Sequence, residues 1–386
     1  MAVNRGQGKL LLVLLACCLL LTGCWDRQEL NNRLFDIGGG IDLRKDGTYA
    51  LSVQFVLPQK VMENTSTAQS YIIETSTGAN VFDAVLKLQQ KLSRKVTRGQ
   101  RRNLYVGEEL AMRGFPNLLD SLTRDPDNRI RTDLWIVKDG TALEAIKIPY
   151  PLEKIPAIAP LKIRQAIGTS IGNSLIDYLI AANEPGSSPT LPAIEIEENK
   201  ELRKKTVKFY GRAIFNAEHM LVGYCNLRES AHRLWVINQL NSLGLTVKLP
   251  GGEGLFSVEV THARGRTKAR LDADRRVHIQ VDLTGQAILR ENNTNLDLTV
   301  MHNLKLFEDA MNRSTEKELA QLTRKTQKKY KSDIFGFGEA MNRQHPGLWP
   351  SLEPKWPQLY ADAVIEFKAH TVIQRIGLQG PSLNLK

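Results

Sequence analysis

The first 24 residues constrain the chain most, because they contain a short apolar segment that is distinct in composition from the rest of the chain. Arg5 and Lys9 precede an unbroken apolar run of twelve residues, from residue 10 to residue 21. A helix of that length spans about 18 Å, against a hydrocarbon core of roughly 30 Å. The run is therefore too short for a transmembrane anchor. A basic start, a short apolar core and a small-residue junction are typical of a secretory signal peptide.

The segment ends in Leu21-Thr22-Gly23-Cys24, which resembles the lipobox of bacterial lipoproteins. In that class the signal is removed just before a cysteine whose thiol has received a diacylglycerol, and the new amino terminus is then acylated. The resemblance implies cleavage after residue 23, a covalent lipid on Cys24 and a body tethered outside the cytoplasm. One acyl chain holds a protein only marginally at a membrane, whereas two or three chains hold it firmly.

Composition indicates an ordinary globular body behind this anchor. Removal of residues 1–23 leaves 363 residues, enough for two or three domains of typical size. The chain is 42% hydrophobic and 24% charged, which is typical of a protein with a substantial core. Two of the four cysteines lie in the signal and Cys24 would carry the lipid, so Cys225 is left without a partner. We expect Cys225 to be a small buried side chain rather than a nucleophile.

The net charge of +11 restricts the class of partner. Loss of Arg5 and Lys9 with the signal leaves +9, which suggests either nucleic acid or an anionic membrane. Export argues against nucleic acid, whereas a tethered body gains about 1 kcal/mol for each cation beside anionic head groups. The densest basic run, residues 91–102, contains six cations and no acid. It is either a membrane contact or a solvated helix end and loop.

Apolar periodicity and turn residues predict an α+β, multi-domain fold in which mixed β-sheets pack against helices. The N-terminal order is β-β-β-α-β-α-β and begins with a hairpin over residues 34–57, whose turn contains Asp46-Gly47. The C-terminal order is ββαβββααβ, with three strands between 255 and 289 and the longest helix at 301–330. We expect a helix at 229–243 between the two groups of strands.

The predicted domains are a signal peptide at residues 1–23, an N-terminal region at 24–198 and a C-terminal α+β domain at 206–378. A proline-rich stretch at 148–192 either packs on the first sheet or forms a small domain of its own, which would divide the N-terminal region near residue 148. The main boundary is placed at Glu184–Pro189 and the charged stretch 195–205, because their composition is typical of an exposed connection.

Two groups of residues resemble the Ger(x)C family of spore-germination lipoproteins. The first group starts at Cys24-Trp25-Asp26-Arg27 and continues into Asp36-Ile37-Gly38. The second group is Asp333-Ile334-Phe335-Gly336-Phe337-Gly338-Glu339, which follows a long charged helix and precedes Trp349 and Trp356. The resemblance extends from Cys24 to about Gly377, nearly the whole of the mature chain.

This resemblance implies the C subunit of a nutrient germinant receptor. Such a subunit has no known enzyme activity and no cofactor beyond the lipid that Cys24 would carry. It is held on the outer face of the spore inner membrane, a phospholipid membrane, together with membrane-embedded A- and B-type subunits. The receptor responds to small nutrients such as amino acids or sugars.

Two other functions are alternatives for this sequence. A lipid-anchored solute-binding protein that captures a nutrient directly is the main alternative, although that class usually has two lobes of repeating βαβ units. A hydrolase is a weaker alternative: Gly168-Thr169-Ser170-Ile171-Gly172 matches a nucleophile elbow, but Pro156 and Pro160 disfavour the core strand that must precede it. The seven histidines show no metal-binding spacing, so no metal site is predicted.

The segment Phe335-Gly336-Phe337-Gly338 allows two interpretations. It could be a loop that binds phosphate or another ligand. We favour a structural role for it and for its flanking residues Asp333 and Glu339, in which the glycines permit close helix packing and the two rings fill a core.

Overall fold

The computed structural model of the chain describes residues 32–57, 70–167, 173–201, 204–250 and 254–377. Within these ranges the chain forms two mixed β-sheets packed with helices, which confirms the predicted α+β class. The signal peptide, Cys24 and the sequence Gly168–Gly172 lie outside the described residues. Inside them, no helix combines the length and the apolar character needed to cross a bilayer.

The first sheet has parallel strands in its centre and antiparallel hairpins at both sides. Its strand order is β3-β2-β1-β5-β6-β7-β8-β9, with the short β4 beside the start of β1. Strands β1, β5, β6 and β7 run parallel to one another. The strands are β1 (Arg33–Leu43), β2 (Tyr49–Val56), β3 (Tyr71–Gly78), β4 (Lys95–Thr97), β5 (Asn103–Gly107), β6 (Asp133–Lys138), β7 (Thr190–Asn199), β8 (Lys204–Phe215) and β9 (Leu221–Asn226).

Six helices accompany the first sheet in the described ranges. They are α1 (Val81–Gln89), α2 (Glu108–Arg113), α3 (Pro116–Arg124), α4 (Ala142–Lys147), α5 (Ala159–Ala166) and α6 (Leu175–Asn183). Asn80 caps α1, since its side chain accepts the Asp83 N–H at 2.8 Å. The main core beneath these helices includes Phe115 and Phe215, whose rings meet edge to face at 5.2 Å.

The second sheet is formed by four strands in the order β10-β11-β12-β13, and only β12 and β13 are parallel. The strands are β10 (Leu243–Lys248), β11 (Leu255–Leu271), β12 (Val277–Asn292) and β13 (Val364–Arg375). The accompanying helices are α7 (Leu227–Val236), α8 (Met301–Arg324), α9 (Phe337–Gln344), α10 (Trp349–Leu352) and α11 (Trp356–Asp362), with a π-helical turn, Lys325–Tyr330, directly after α8.

Helix α8 covers the edge strand β13 with hydrogen bonds from side chain to backbone. Three side chains spaced four residues apart on α8 each accept an N–H from alternate residues of β13. The pairs are Glu308 with Ile373 at 2.8 Å, Asn312 with Thr371 at 2.9 Å and Glu316 with Ala369 at 2.8 Å. An open strand edge is a template for pairing with other chains, so these contacts protect the second sheet.

The core of the second sheet extends to the first sheet. It contains large fully buried side chains such as Trp235, Phe256 and Tyr360, and it also includes Ile214 of β8 and Cys225 of β9. Cys225 is buried, as expected, and burial raises the pKa of its thiol to about 12. The two sheets therefore share apolar packing at the β8–β9 side of the first one.

Most predicted strands and helices are present near their expected positions, but three differ. The charged stretch 195–205 is not a connection in its described parts: residues 195–199 end β7 and residues 204–205 begin β8. The Nζ atom of Lys208 lies 3.3 Å from a carboxylate oxygen of Glu195 on the neighbouring strand. Cross-strand ion pairs of this kind allow charged residues to form strands. The helix expected at 229–243 ends at Val236, and β10 begins at residue 243.

The third difference concerns the strands expected at 255–261 and 267–271, which form the single strand β11. The irregularity between Thr261 and Arg264, where His262 has a φ of 50°, is a bulge rather than a break.

The sheets divide the chain at a different point from the predicted domains. Residues 204–226 form β8 and β9 of the first sheet, although most of them fall in the predicted C-terminal domain. The domain division itself stays a prediction.

Candidate functional site

The motif Asp333–Glu339 forms a tight loop between the π-helical turn and α9. Lys331 has a φ of 50° and Gly336 a φ of 73°, so the backbone is left-handed twice within six residues. The first change ends the long helix and the second starts α9. Glycine adopts the left-handed region without steric cost, which explains the residue at position 336.

The side chain of Asp333 organises this loop from inside. It is buried, and one carboxylate oxygen accepts the Phe335 N–H at 3.1 Å. The other accepts the Gly338 N–H at 2.8 Å and the indole N–H of Trp356 at 3.2 Å. The carboxylate therefore accepts a hydrogen bond from an N–H group at the start of α9 and connects that helix to α11 through Trp356.

Burial raises the pKa of Asp333 to about 6, because loss of solvent penalises the charged form more than the hydrogen bonds favour it. The position at the N-terminus of α9 also favours a negative charge.

The two phenylalanine rings of the motif are buried in the C-terminal core. Phe335 and Phe337 stack with their centroids 5.1 Å apart and their planes at 21°. Phe337 also lies 6.4 Å from the ring of Tyr360. The rings therefore fill core space. Glu339, at the outer side of α9, pairs with Arg343 at 2.9 Å.

The glycines of the motif meet a loop from the other half of the chain. A Cβ atom placed on Gly338 would lie 2.7 Å from the Cα of Gly186, in the connection between α6 and β7. A Cβ on Gly186 would lie 2.7 Å from the ring of Trp349 and 2.8 Å from that of Trp356. Such distances are too short for non-bonded carbon atoms, so both positions require glycine. Gly186 also has a left-handed φ of 65°.

A backbone hydrogen bond reinforces this contact. The Ser188 N–H donates to the carbonyl of Asp333 at 2.8 Å, and the Phe215 N–H donates to the carbonyl of Pro189 at 3.0 Å. The loop Glu184–Pro189 is thus held between β8 of the first sheet and the motif. We call the contact of this loop with Asp333–Glu339 and the two tryptophans the glycine junction.

A polar cleft of about 710 Å³ opens beside the glycine junction. Its walls come from both halves of the chain: α6 and β8 on one side, and α7, β11 and α9 on the other. Four arginines contribute to the walls, namely Arg212, Arg233, Arg266 and Arg343. Three acids do so as well, namely Asp177, Glu184 and Glu339.

Arg212 and Arg233 hold the parts of the cleft together. The guanidinium of Arg212 donates to the hydroxyl of Thr190 at 2.7 Å and to the side-chain oxygen of Asn173 at 2.9 Å. Arg233 donates to the carbonyl of Ile334 at 2.6 Å and so fixes the motif loop to α7. Burial lowers the pKa of both guanidinium groups, and the repulsion of Arg233 lowers that of Arg212 further. Both remain cations at neutral pH.

The predicted site residues fall into two groups. Leu21, Thr22, Gly23 and Cys24 lie outside the described residues, so the lipobox and the lipid on Cys24 stay predictions. Ser170 of the alternative hydrolase interpretation also lies outside them. The motif residues from Asp333 to Glu339 are brought together at the glycine junction. Within the described ranges, no group of three His, Cys, Asp or Glu side chains could hold a metal ion.

The residues that meet the motif from the first half could not be recognised as site residues from their sequence. Gly186 follows a proline in a loop that was interpreted only as a connection. Arg212 stands among the small and apolar residues of β8, which is an unusual setting for a cation and the one signal of its burial.

Comparisons with known proteins cover nearly the whole chain. Residues 26–196 match the family described as "Spore germination protein N-terminal domain", and residues 210–377 match "Spore germination B3/ GerAC like, C-terminal". The YfkR protein of Bacillus subtilis (strain 168) is 27% identical over 374 residues, which cover 94% of this chain and 95% of that protein. Spore germination protein KC of the same organism is 25% identical and covers 96% of each chain.

A solved structure shows the same fold. The crystal structure of the GerBC protein matches 90% of this chain and 100% of its own, with a TM-score of 0.56 at 18% identity. Together with the two family matches, which leave only short segments uncovered, this establishes that the chain belongs to the Ger(x)C family of spore germination proteins.

Proposed function

We propose that the chain is a non-enzymatic, lipid-anchored subunit of a nutrient germinant receptor. The observation that carries this proposal is the match to both halves of a germination protein family, with relatives aligned over almost their full length. The subunit acts through contacts with membrane-embedded A- and B-type subunits, and nutrient-triggered germination requires those contacts.

The anchor is the diacylglycerol on Cys24, together with an acyl group on its amino terminus after cleavage. Leu21, Thr22 and Gly23 form the recognition sequence for its processing. The body then lies on the outer face of the spore inner membrane. It needs no cofactor other than this lipid.

The glycine junction is a structural element of the subunit. Its buried carboxylate, stacked rings and close glycine contact fix the loop Glu184–Pro189 against the C-terminal half. Contacts of this density define the relative position of the two halves, and a partner that binds both halves would depend on that position.

A deletion and a co-purification test the receptor role. Spores that lack the protein should fail to respond to at least one nutrient, while they still germinate with a trigger that bypasses receptors. The mature protein should co-purify with its A- and B-type partners from spore membranes. Normal nutrient germination of the deletion strain, with no second receptor compensating, would contradict the proposal.

The arginine-lined cleft supports a second candidate function, direct capture of a small solute. Its volume of about 710 Å³ falls in the usual range for small-molecule sites. Arg266 is an exposed cation on its wall, and among the described residues no carboxylate lies within 4 Å of its charged group.

Calorimetry separates the two functions. The mature chain with Cys24→Ser would be titrated with amino acids and with sugars, and then the variant Arg266→Ala would be titrated in the same way. Micromolar binding that weakens in the Arg266 variant would favour solute capture. Absence of binding in every titration would leave the receptor subunit as the better account.

A further inference from the structure

The basic run at residues 91–102 contains two arginines whose charge is already balanced. The guanidinium of Arg98 lies 2.7 Å from the carboxylate of Asp125. That of Arg101 is buried against Asp36. These two side chains hold the loop to the first sheet and offer little charge to a partner.

The remaining cations of the run face solvent. Lys91 donates to the carbonyl of Thr75 at 2.7 Å, on the side of β3. Arg94, Lys95 and Arg102 are exposed, and in the part of the chain that the structure describes no carboxylate lies within 4 Å of their charged groups. They are therefore available to an anionic partner.

Strand pairing places these three cations around the start of β1. Lys95 is the register partner of Arg33, the first residue of β1, in the parallel pair of β1 and β4. The Arg102 N–H donates to the carbonyl of Ile37 at 2.8 Å, farther along the same side of β1, where β5 begins to pair with it. The cations of the run therefore lie at the end of the first sheet where the parallel strands β1, β4 and β5 begin.

The turn before β6 lies at the same end of the sheet. The Asp133 N–H donates to the carbonyl of Arg102 at 2.9 Å, so this turn lies directly beside Arg102. Arg131 in that turn is exposed, and its neighbour Ile130 is a large apolar residue with 47% of its surface exposed. We call Arg94, Lys95, Arg102 and Arg131 the basic rim.

The anchored end of the chain enters the fold at the basic rim. Strand β1 begins at Arg33, nine residues after Cys24. An extended chain advances at most about 3.6 Å per residue, so the start of β1 lies within roughly 30 Å of the lipid-bearing residue. The end of the first sheet that carries the rim is therefore the described part of the folded body closest to the anchor along the chain.

We propose that the basic rim binds anionic phospholipid head groups and turns the end of the first sheet at which β1, β5 and β6 begin towards the membrane. This proposal rests on the proposed function, because the lipid on Cys24 is what brings the rim close to the membrane. Each cation near an anionic surface adds about fivefold to the partition coefficient. The exposed Ile130 among these cations suits the boundary between head groups and acyl chains, where amphipathic surfaces bind.

Binding to vesicles tests the rim without the anchor. The mature chain with Cys24→Ser would be sedimented with vesicles of phosphatidylcholine alone, or of equal parts of phosphatidylcholine and phosphatidylglycerol. The rim variant is Arg94→Gln, Lys95→Gln and Arg102→Gln. The control variant has the same net charge as the rim variant. It replaces three exposed arginines of β11 and of the turn between β11 and β12: Arg264→Gln, Arg270→Gln and Arg276→Gln.

We expect binding only to the anionic vesicles, a loss of roughly a hundredfold in the rim variant, and a much smaller loss in the control variant. Equal losses in both variants, or no preference for anionic vesicles, would overturn the proposal. Unchanged vesicle binding by the rim variant, with lost co-purification of the receptor partners, would overturn it in favour of a protein contact. Because Cys24 is absent throughout, failure here is distinct from failure of lipid attachment.

Discussion

The Cα atom of Gly186 lies so close to Gly338 that neither residue has room for a side chain, although the two are far apart in the sequence. A Cβ on Gly338 would be 2.7 Å from Gly186 and 2.8 Å from the indole nitrogen of Trp356. The two halves of the chain therefore pack backbone against backbone at this point.

Gly338→Ala should lower the free energy of unfolding by about 1–3 kcal/mol, because the added methyl group forces two packed elements apart. Gly186→Ala should cost about 1–2 kcal/mol more, since its φ of 65° disfavours a side chain as well. Denaturant unfolding of each variant measures both effects. Gly347→Ala is the matched control, because nothing lies within 4 Å of its Cβ position.

The double variant sharpens this prediction. The two glycines contact each other, so their costs should not be additive, and the double variant should lose less than the sum of the single ones. Strictly additive costs would contradict the prediction, because they would show that the two substitutions act independently.

Asp333 should give the folded state a specific pH dependence. Burial raises its pKa to about 6 from the ordinary 3.8, so the folded state holds the proton more tightly than the unfolded chain. This group's contribution is fully present below about pH 4 and is lost as the pH rises towards about 6. At about 1.4 kcal/mol per pKa unit, the total change is up to roughly 3 kcal/mol.

Asp333→Asn isolates this contribution. Asparagine keeps one accepting oxygen but cannot ionise, so its own cost is independent of pH. The stability of the natural protein relative to this variant should fall between about pH 4 and pH 6 and then remain level. A relative stability that rises over the same interval would mean that the carboxylate, rather than the protonated acid, is the favoured buried form.

Local signals explain why much of the fold could be predicted. The Asp46-Gly47 turn and the Asn80 cap are recognisable within a few residues, and β1, β2 and α1 lie where those signals place them. Strand β4, by contrast, has three residues and exists only because it pairs with the start of β1. The charged end of β7 is a strand only because β8 supplies opposite charges.

The candidate site was predicted in part for the same reason. The motif from Asp333 to Glu339 is a continuous segment, so its glycines and rings could be identified. Gly186 and Arg212 come from the other half, and no short-range pattern relates them to the motif. Their roles depend on distances that arise only after both halves have folded.

The hydrogen bonds from α8 to β13 should be necessary for the stability of the second sheet. Asn312 accepts the Thr371 N–H at 2.9 Å and donates to its carbonyl at 3.3 Å. Asn312→Ala would leave both groups of the buried Thr371 without these partners, at a cost of about 1–3 kcal/mol. Arg313→Ala, one residue along the same helix but exposed, should change the stability by less than about 0.5 kcal/mol. Equal effects of the two substitutions in thermal unfolding would contradict this role.

Cys24→Ala should release the protein from membranes. The substitution removes the thiol that would carry the diacylglycerol, and the basic rim alone should bind weakly and lose its hold at high salt, since exposed charges are screened. Phase separation in detergent, after a wash in concentrated salt, would show the natural protein in the detergent phase and the variant in the aqueous phase. Cys225→Ala is the control, because that thiol is buried in the shared core and cannot be reached by an acyl donor. A Cys24 variant that stays in the detergent phase would show that the chain is held by something other than a lipid on this residue.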